Sequence, residues 1–260
     1  MMQIYIAPSG YSMNDDNPFS LDGKYDRSWT ILTIDSNVQG MLFQQRSRHG
    51  CYAVSMTPQY AFFNELFADF IQYETDHVRK IILVSKDDMN LDFKTHYKDS
   101  SIRPSDSRFL IHSTTLPTYE KILSDGLLKS PHRLKREGYE VHPIGLEPLG
   151  EPDDYLDYIM FANSGVAPEL VVNSRLCGGV NYDLNAPYLP QARLCFDGLK
   201  MVSDGFIVRN VASMVFDSLP LETYLLKTVV ADNLQIPDGN TGWTPFSFAK
   251  CADDFMKNFF

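Results

Sequence analysis

One stretch of the sequence carries residues that could bind a ligand at the end of a strand. Residues 108–115 read Arg-Phe-Leu-Ile-His-Ser-Thr-Thr, an apolar run followed by a histidine, a serine and two threonines. The apolar run predicts a short buried strand, so His112 and Thr114 would lie near its end. An imidazole and nearby hydroxyl and backbone groups can hydrogen-bond a polar ligand there. The alternative is that His112 is a structural residue bonded to its neighbours.

A helix is predicted directly after this strand. Pro117 suits the first turn of a helix, and Gly126 occupies the position of a left-handed C-terminal cap. Tyr119, Ile122 and Leu123 fall on one face at helical spacing. A helix of this kind is expected to pack on the sheet and to leave the end of the strand open.

Together, the strand, the His-x-Thr and a helix ending in Ile-Leu-x-x-Gly-Leu resemble the first motif of the ADP-ribosyltransferase superfamily. The branch in question includes poly-ADP-ribose polymerases, DNA-modifying toxins of the DarT type and RNA 2'-phosphotransferases. The resemblance implies that His112, Ser113 and Thr114 bind NAD, with the histidine on the adenosine ribose and the backbone of Ser113 on the nicotinamide amide. Many members carry glycine in place of Ser113. The phosphotransferases carry arginine where this chain has Ile111, which argues against phosphotransfer.

The next predicted strand, residues 155–163, follows at a distance similar to that in DarT-like members. By resemblance, Tyr158 or Phe161 would pack a ring on the nicotinamide. The arginine expected just beyond this strand is absent, and Arg175 is the nearby arginine that could replace it. The alternative is that both aromatic residues belong to the core.

Cleavage of NAD develops positive charge at the anomeric carbon of the ribose, and a nearby carboxylate stabilises that charge. Transferases of this fold supply the carboxylate from a late strand. Residues 219–230 are apolar enough for a final central strand, so Glu222 is the predicted catalytic carboxylate. Asp197 and Asp217 are reserve candidates, but each adjoins a turn, where aspartate commonly caps.

Two features of the sequence leave alternatives open. Arg193 lies in a predicted apolar strand, and a buried arginine is costly unless it is paired. It would therefore either form an ion pair with Glu222 or another acid, or act at the site by binding a ligand phosphate. The basic run 132–136 is either a solvated loop or a second phosphate contact.

Composition limits the class of partner. The formal net charge is −10, which argues against a general nucleic-acid binder, because such proteins need clustered cations for the phosphates. A protein acceptor is therefore favoured over a nucleic acid. The four cysteines are isolated and indicate no metal site. The start resembles no signal peptide and no stretch is long enough to cross a membrane, so a cytoplasmic protein without membrane contact is expected.

The predicted fold class is α+β. Residues 104–260 are expected to form an ADP-ribosyltransferase-like split mixed β-sheet with flanking helices, and residues 1–103 an N-terminal α/β portion of unassigned role. In that portion we predict strands at 3–7, 29–34 and 79–84 and a helix at 59–73, with residues 40–43 pairing with the second strand. The polar residues 85–107 are the predicted boundary.

The function implied by the resemblance is transfer of ADP-ribose from NAD, as substrate, to a macromolecular acceptor. A bacterial or phage toxin is one setting for this activity, and it would imply an antitoxin or inhibitor partner. Two alternatives stay open: a catalytically inactive binding module on the same fold, and an RNA 2'-phosphotransferase.

Overall fold

The structure, a computed structural model, describes residues 3–12, 15–38, 42–46, 50–85, 96–210, 212–237, 239 and 241–259. It combines helices with several small sheets, as expected for the α+β class. The chain divides into two compact units. Unit 1 comprises Met1–Asp99, Gly145–Leu156 and Val208–Val211, and unit 2 comprises Ser100–Ile144, Asp157–Ile207 and Ala212–Phe260. Unit 1 thus includes two later segments that a division at residue 103 would give to the second domain.

None of the helices in the described ranges combines the length and the apolar character that a bilayer crossing requires.

Unit 1 is built on a five-stranded sheet in the order β1-β5-β2-β4-β3. Its elements are β1 (Ile4–Ala7), β2 (Trp29–Ile34), β3 (Leu42–Gln45), β4 (Tyr52–Met56), helix α1 (Phe63–Asp76), β5 (Lys80–Val84) and, later in the chain, α4 (Leu146–Leu149). β1, β5, β2 and β4 are parallel, and β3 is antiparallel to β4. β4 and β5 lie on either side of β2, and the chain crosses from one to the other through α1, as a connection between parallel strands requires.

Most elements predicted in the N-terminal portion are confirmed. The three strands and the helix are present, although α1 begins at Phe63 because turns occupy the residues before it. The pairing predicted for residues 40–43 is wrong where it can be examined: β3 pairs with β4 and not with β2. Gly40 and Met41, and residues 86–95 of the predicted boundary, lie outside the described residues.

Unit 2 contains the candidate site. Its elements are β6 (Phe109–Thr114), α2 (Leu116–Asp125), β7 (Leu127–Lys129), α3 (Pro131–Arg136), β8 (Tyr158–Phe161), α5 (Ala167–Cys177), β9 (Ala192–Asp197), α6 (Gly198–Ser203), β11 (Ser213–Phe216), β12 (Ser218–Pro220), α7 (Leu221–Tyr224), β13 (Leu225–Val229) and α8 (Pro245–Phe259). Strand β10 (Ile207–Arg209) lies where the chain leaves unit 2 for the segment Val208–Val211.

Two sheets of unit 2 meet edge to edge. β6, β9 and β13 form one antiparallel sheet, and β8 pairs antiparallel with β11 in the other. A single residue pair joins them: Ile111 and Ala162 exchange two backbone hydrogen bonds of 2.7 and 3.0 Å. The result is a split sheet. Every strand pair defined within the described part of unit 2 is antiparallel, so the predicted mixed character is found in unit 1 instead.

The two faces of the β6-β9-β13 sheet carry different layers of the core. On one face, Leu110 and Leu194 pack with Phe161. On the other face, Ile111 packs with Met256 of α8. Because successive side chains of a strand alternate between faces, His112 lies on the Phe161 face and Ser113 on the α8 side.

Three local predictions for this region need correction. The strand predicted at residues 219–230 is interrupted, because β12 pairs with β7 while β13 pairs with β9, and α7 makes the transition between the two sheets. β13 is also an edge strand and not a central one. Helix α2 buries only Ile122, so Leu123 is exposed and does not belong to its packed face.

A glycine at the start of α6 permits a close approach of two chain segments. A Cβ atom at Gly198 would lie 2.3 Å from the backbone oxygen of Ser107 and 3.0 Å from Leu110. Because the carbonyl cannot move without the backbone, we expect Gly198→Ala to lower the free energy of unfolding by about 1–3 kcal/mol. Urea unfolding checks this against Gly179→Ala, where the added methyl group meets open space. Equal losses in the two variants would contradict the prediction.

Candidate functional site

The candidate site is centred on the imidazole of His112, near the end of β6. Its Nδ1 lies 3.1 Å from the backbone oxygen of Met160 on β8. A carbonyl oxygen can only accept, so Nδ1 carries the proton and donates it. In the described part of the chain, no hydrogen-bond partner lies at Nε2. The lone pair of Nε2 is therefore available to accept a hydrogen bond from a hydroxyl or amide of a ligand.

The environment of His112 keeps the imidazole neutral. Burial lowers its pKa to about 4; the bond to Met160 acts in the opposite direction, and the positive charge of Arg175 lowers the pKa further. The neutral form with the proton on Nδ1 is therefore the form present at neutral pH. Such an imidazole is a weak base but a good hydrogen-bond acceptor.

Arg175 brings a positive charge to the same place. It lies in the last turn of α5, a helix that packs against β6, and its side chain is exposed. Among the residues that the structure describes, no carboxylate forms an ion pair with Arg175. An exposed guanidinium without a carboxylate partner can bind an anionic group of a ligand, and phosphate matches its geometry well.

The strand positions beside His112 follow from the register. His112 pairs with Leu194 on one side, and through the Ile111–Ala162 bridge it lies next to Phe161 on the other. Phe161 pairs with Ser213 of β11. The rings of His112 and Phe161 are 5.8 Å apart. The row of strand residues through the site thus offers a hydroxyl at Ser213 but no carboxylate.

Ser113 and Arg193 lie behind this row, on the opposite face of the sheet, and both bind Glu169 of α5. The Ser113 hydroxyl donates to Glu169 over 2.6 Å, and the Tyr188 hydroxyl donates over 2.5 Å. Arg193 Nη1 lies 2.8 Å from the same carboxylate, and Arg193 also pairs with Asp253 of α8. These groups form a buried network, which we call the Glu169 network.

For Arg193, the structure supports the ion pair and not the contact with a ligand phosphate. Its side chain and that of Glu169 are each 0% exposed, so neither contacts solvent or a ligand. Burial alone would lower the pKa of Arg193, but the two carboxylates of Glu169 and Asp253 more than offset it and raise that pKa. The predicted pairing with Glu222 does not occur, and Arg193 is therefore not among the residues that could touch NAD.

The remaining predicted binding residues are mostly buried. Thr114 is buried at the end of β6, while Tyr158 is buried in β8 and makes an edge contact with the exposed ring of Phe216. Phe161 is buried against His112 and Phe196. Of the two aromatic candidates, Phe161 is the one that contacts His112.

The predicted catalytic carboxylate lies outside the strands. Glu222 is exposed on the short helix α7, and within the described residues it makes no hydrogen bond or ion pair. Asp197 caps α6 by accepting from the Lys200 amide over 3.0 Å, as is common beside a turn. Asp217, at a φ of 61°, binds arginines of α3.

The basic run 132–136 forms helix α3 instead of a loop. Arg133 binds Glu137 over 2.9 Å and Asp217 over 2.6 Å, and Arg136 also contacts Asp217. His132 lies 2.8 Å from Asp157. Since both arginines of the run already face carboxylates, the structure gives them no support as a phosphate contact.

Sequence analysis missed Glu169, which accepts side-chain hydrogen bonds from Ser113, Tyr188 and Arg193. A signal was present: Glu169 follows Pro168 at the start of a segment that becomes α5. However, this segment has only a weak alternation of polar and apolar residues, because polar residues such as Asn173 and Ser174 are buried with Val172. Its helical pattern was therefore not recognised.

The depressed pKa of His112 predicts a pH-dependent stability. With a folded-state pKa of about 4 against an ordinary value of 6.5, the unfolded chain takes up a proton between these pH values and the folded chain does not. The free energy of unfolding is therefore highest above about pH 6.5 and decreases as the pH falls toward 4. The total decrease from this histidine is at most about 3 kcal/mol. Urea unfolding of wild type and His112→Gln between pH 4 and 7 measures it. Parallel pH profiles of the two proteins would refute the expectation.

Comparison with known proteins yields no relative. No family model matches the chain, and neither a curated protein nor a solved structure matches it. Among the described residues there is also no group of three or more histidine, cysteine, aspartate or glutamate side chains arranged to hold a metal ion.

Proposed function

We propose that unit 2 binds NAD at the His112 site and transfers its ADP-ribose to a macromolecular acceptor, as the resemblance to ADP-ribosyltransferases implies. The observation that carries the proposal is the combination of two groups: an imidazole whose Nε2 has no hydrogen-bond partner among the described residues, and the exposed Arg175, whose positive charge acts on that imidazole and which lacks a carboxylate partner among the same residues. NAD offers a partner for each, namely a ribose hydroxyl for His112 and a phosphate for Arg175.

The split sheet is in keeping with this proposal. His112 lies beside the bridge at which the two sheets of unit 2 separate, because the adjacent Ile111 pairs with Ala162. β6 carries the His-x-Thr residues and β8 the aromatic residues Tyr158 and Phe161, and the rings of His112 and Phe161 are 5.8 Å apart.

The acceptor is proposed to be a protein and not a nucleic acid. The net charge of −10 disfavours phosphate backbones. In addition, the arginines of the basic helix α3 are engaged by Glu137 and Asp217.

One observation favours a second candidate function, an NAD-binding module without transferase activity. Among the described residues, the strand row through His112 holds no carboxylate, and Ser213 occupies its position on β11. Glu222 would have to act from the exposed helix α7. RNA 2'-phosphotransfer needs two arginines at His112 and finds less support: among the described residues the charge of Arg175 acts on His112, while Arg108 packs on the ring of Phe109.

Calorimetric titration with NAD tests the proposal. We expect wild type to bind NAD and expect His112→Ala and Arg175→Gln each to weaken binding about tenfold or more, since each loses a hydrogen bond to the ligand, charged in the second case. Glu120→Gln, on the exposed face of α2, is the control and should bind as wild type does. A protein that does not bind NAD would contradict both candidate functions.

A nicotinamide-release assay on the same proteins separates the two candidates. Release by wild type and its loss in Glu222→Gln would assign the catalytic carboxylate to α7. Binding without release would favour the inactive module.

A further inference from the structure

The Glu169 network lies directly behind the candidate site, on the opposite face of the same strand. Ser113 directly follows His112 in β6, so the two side chains point to opposite faces. Ser113 is held from behind by its 2.6 Å bond to Glu169. The same strand residues therefore face the proposed ligand on one side and the network on the other.

Glu169 and Arg175 belong to the same helix. Glu169 is in the first turn of α5 and Arg175 in its last turn, which places them about 9 Å apart along the helix axis. A rotation or shift of α5 at Glu169 would therefore displace Arg175 as well. The helix is a rigid connection between the buried network and the exposed guanidinium.

The contacts of Glu169 determine where α5 lies. Its carboxylate accepts from Ser113 of β6, from Arg193 of β9 and from Tyr188. The side chain has no exposed surface. A buried carboxylate that loses any of these donors is strongly destabilised, so the helix has one favourable position relative to the two strands.

We infer that Glu169 is a positioning residue of the candidate site: by binding Ser113 and Arg193 it fixes α5 against β6 and β9, and it thereby fixes where Arg175, in the last turn of α5, lies relative to His112. The inference rests on the proposed function in one respect: it assumes that Arg175 binds a ligand phosphate. The geometry itself is independent of whether NAD binds.

The pKa of His112, measured by NMR titration of the ligand-free protein, reports the position of Arg175. The signal is assigned by its loss in His112→Gln. Removal of the positive charge in Arg175→Gln should raise this pKa by about half a unit or more. If Glu169 positions Arg175, then Glu169→Gln should raise the pKa in the same direction, although it changes no charge that contacts the imidazole.

Two further variants keep the test decisive. Ser113→Ala removes a single hydrogen bond of the network and should fold even where Glu169→Gln does not; it should also raise the pKa of His112. Glu120→Gln removes an exposed carboxylate from α2 and should leave that pKa unchanged. A purely structural role for Glu169 would lower stability without moving the His112 pKa in the folded protein.

The inference is overturned if Arg175→Gln does not move the pKa of His112, or if Ser113→Ala and any folded Glu169→Gln leave it at the wild-type value. Addition of NAD to the wild-type sample separates this result from the proposed function. If NAD leaves the His112 signal unchanged, the proposed function fails while the pKa comparison still decides the role of Glu169.

Discussion

Replacing Arg193 with methionine is expected to lower the free energy of unfolding of unit 2 by about 3–5 kcal/mol, because it leaves two carboxylates without their cation in a buried site. Glu169 has no exposed surface, and Asp253 is only slightly exposed. The single tryptophan of unit 2, Trp243, packs on Phe248 and can report unfolding by fluorescence in a Trp29→Phe background. Urea unfolding in that background gives the measurement.

A double variant tests whether the unpaired buried carboxylates cause this loss of stability. Arg193→Met combined with Glu169→Gln removes a buried charge of each sign and should cost less than the sum of the two single changes. Lys257→Met is the control on α8, since Lys257 and Asp254 are 71% and 55% exposed and such pairs contribute about 1 kcal/mol or less. The explanation fails if Arg193→Met costs no more than Lys257→Met.

The corresponding prediction for unit 1 concerns Arg79. Its Nε lies 2.6 Å from Glu74, a residue with 0% exposure that also accepts from Thr30 over 2.7 Å and Tyr155 over 2.8 Å. Arg79→Met would leave Glu74 buried without a cation, so we expect a loss of about 3–5 kcal/mol from the free energy of unfolding of unit 1. Fluorescence of the buried Trp29, in a Trp243→Phe background, follows this unit.

The matched control for Arg79 is an exposed pair in the same unit. Arg27 binds Asp153, and the two side chains are 44% and 67% exposed. Because solvent screens such a pair, Arg27→Met should cost about 1 kcal/mol or less. A similar loss in Arg27→Met and Arg79→Met would show that burial of the ion pair is not the cause.

The Arg79 contacts also explain why a late segment belongs to unit 1. Asp154 and Tyr155 reach Arg79 and Glu74 from a position about eighty residues later in the chain. Asn210, later still, donates to the Tyr155 hydroxyl over 2.8 Å. A boundary chosen from local composition cannot include such segments, since nothing in the sequence near residue 103 records their partners.

Elements with strong local patterns were predictable. The apolar run of β6 is a strand, α1 is a helix, and Gly126 ends α2 at a φ of 65°. Each of these depends on side-chain periodicity or on the backbone freedom of one glycine, and both are properties of a few adjacent residues. The choice of His112 as a site residue also needed only its place near the end of such a strand.

Only the tertiary structure determined which side chains pair with one another. The sequence indicated that a buried Arg193 must be paired, but only the fold identifies Glu169 and Asp253, because α5 and α8 bring them to β9 from distant positions. It likewise decided that Glu222 lies on a helix between two sheets, that His112 Nδ1 is bound to Met160, and that the charge of Arg175 acts on His112. Burial, protonation and ion pairing depend on groups far apart in the chain, so local sequence determined the elements of this protein and tertiary packing determined its site.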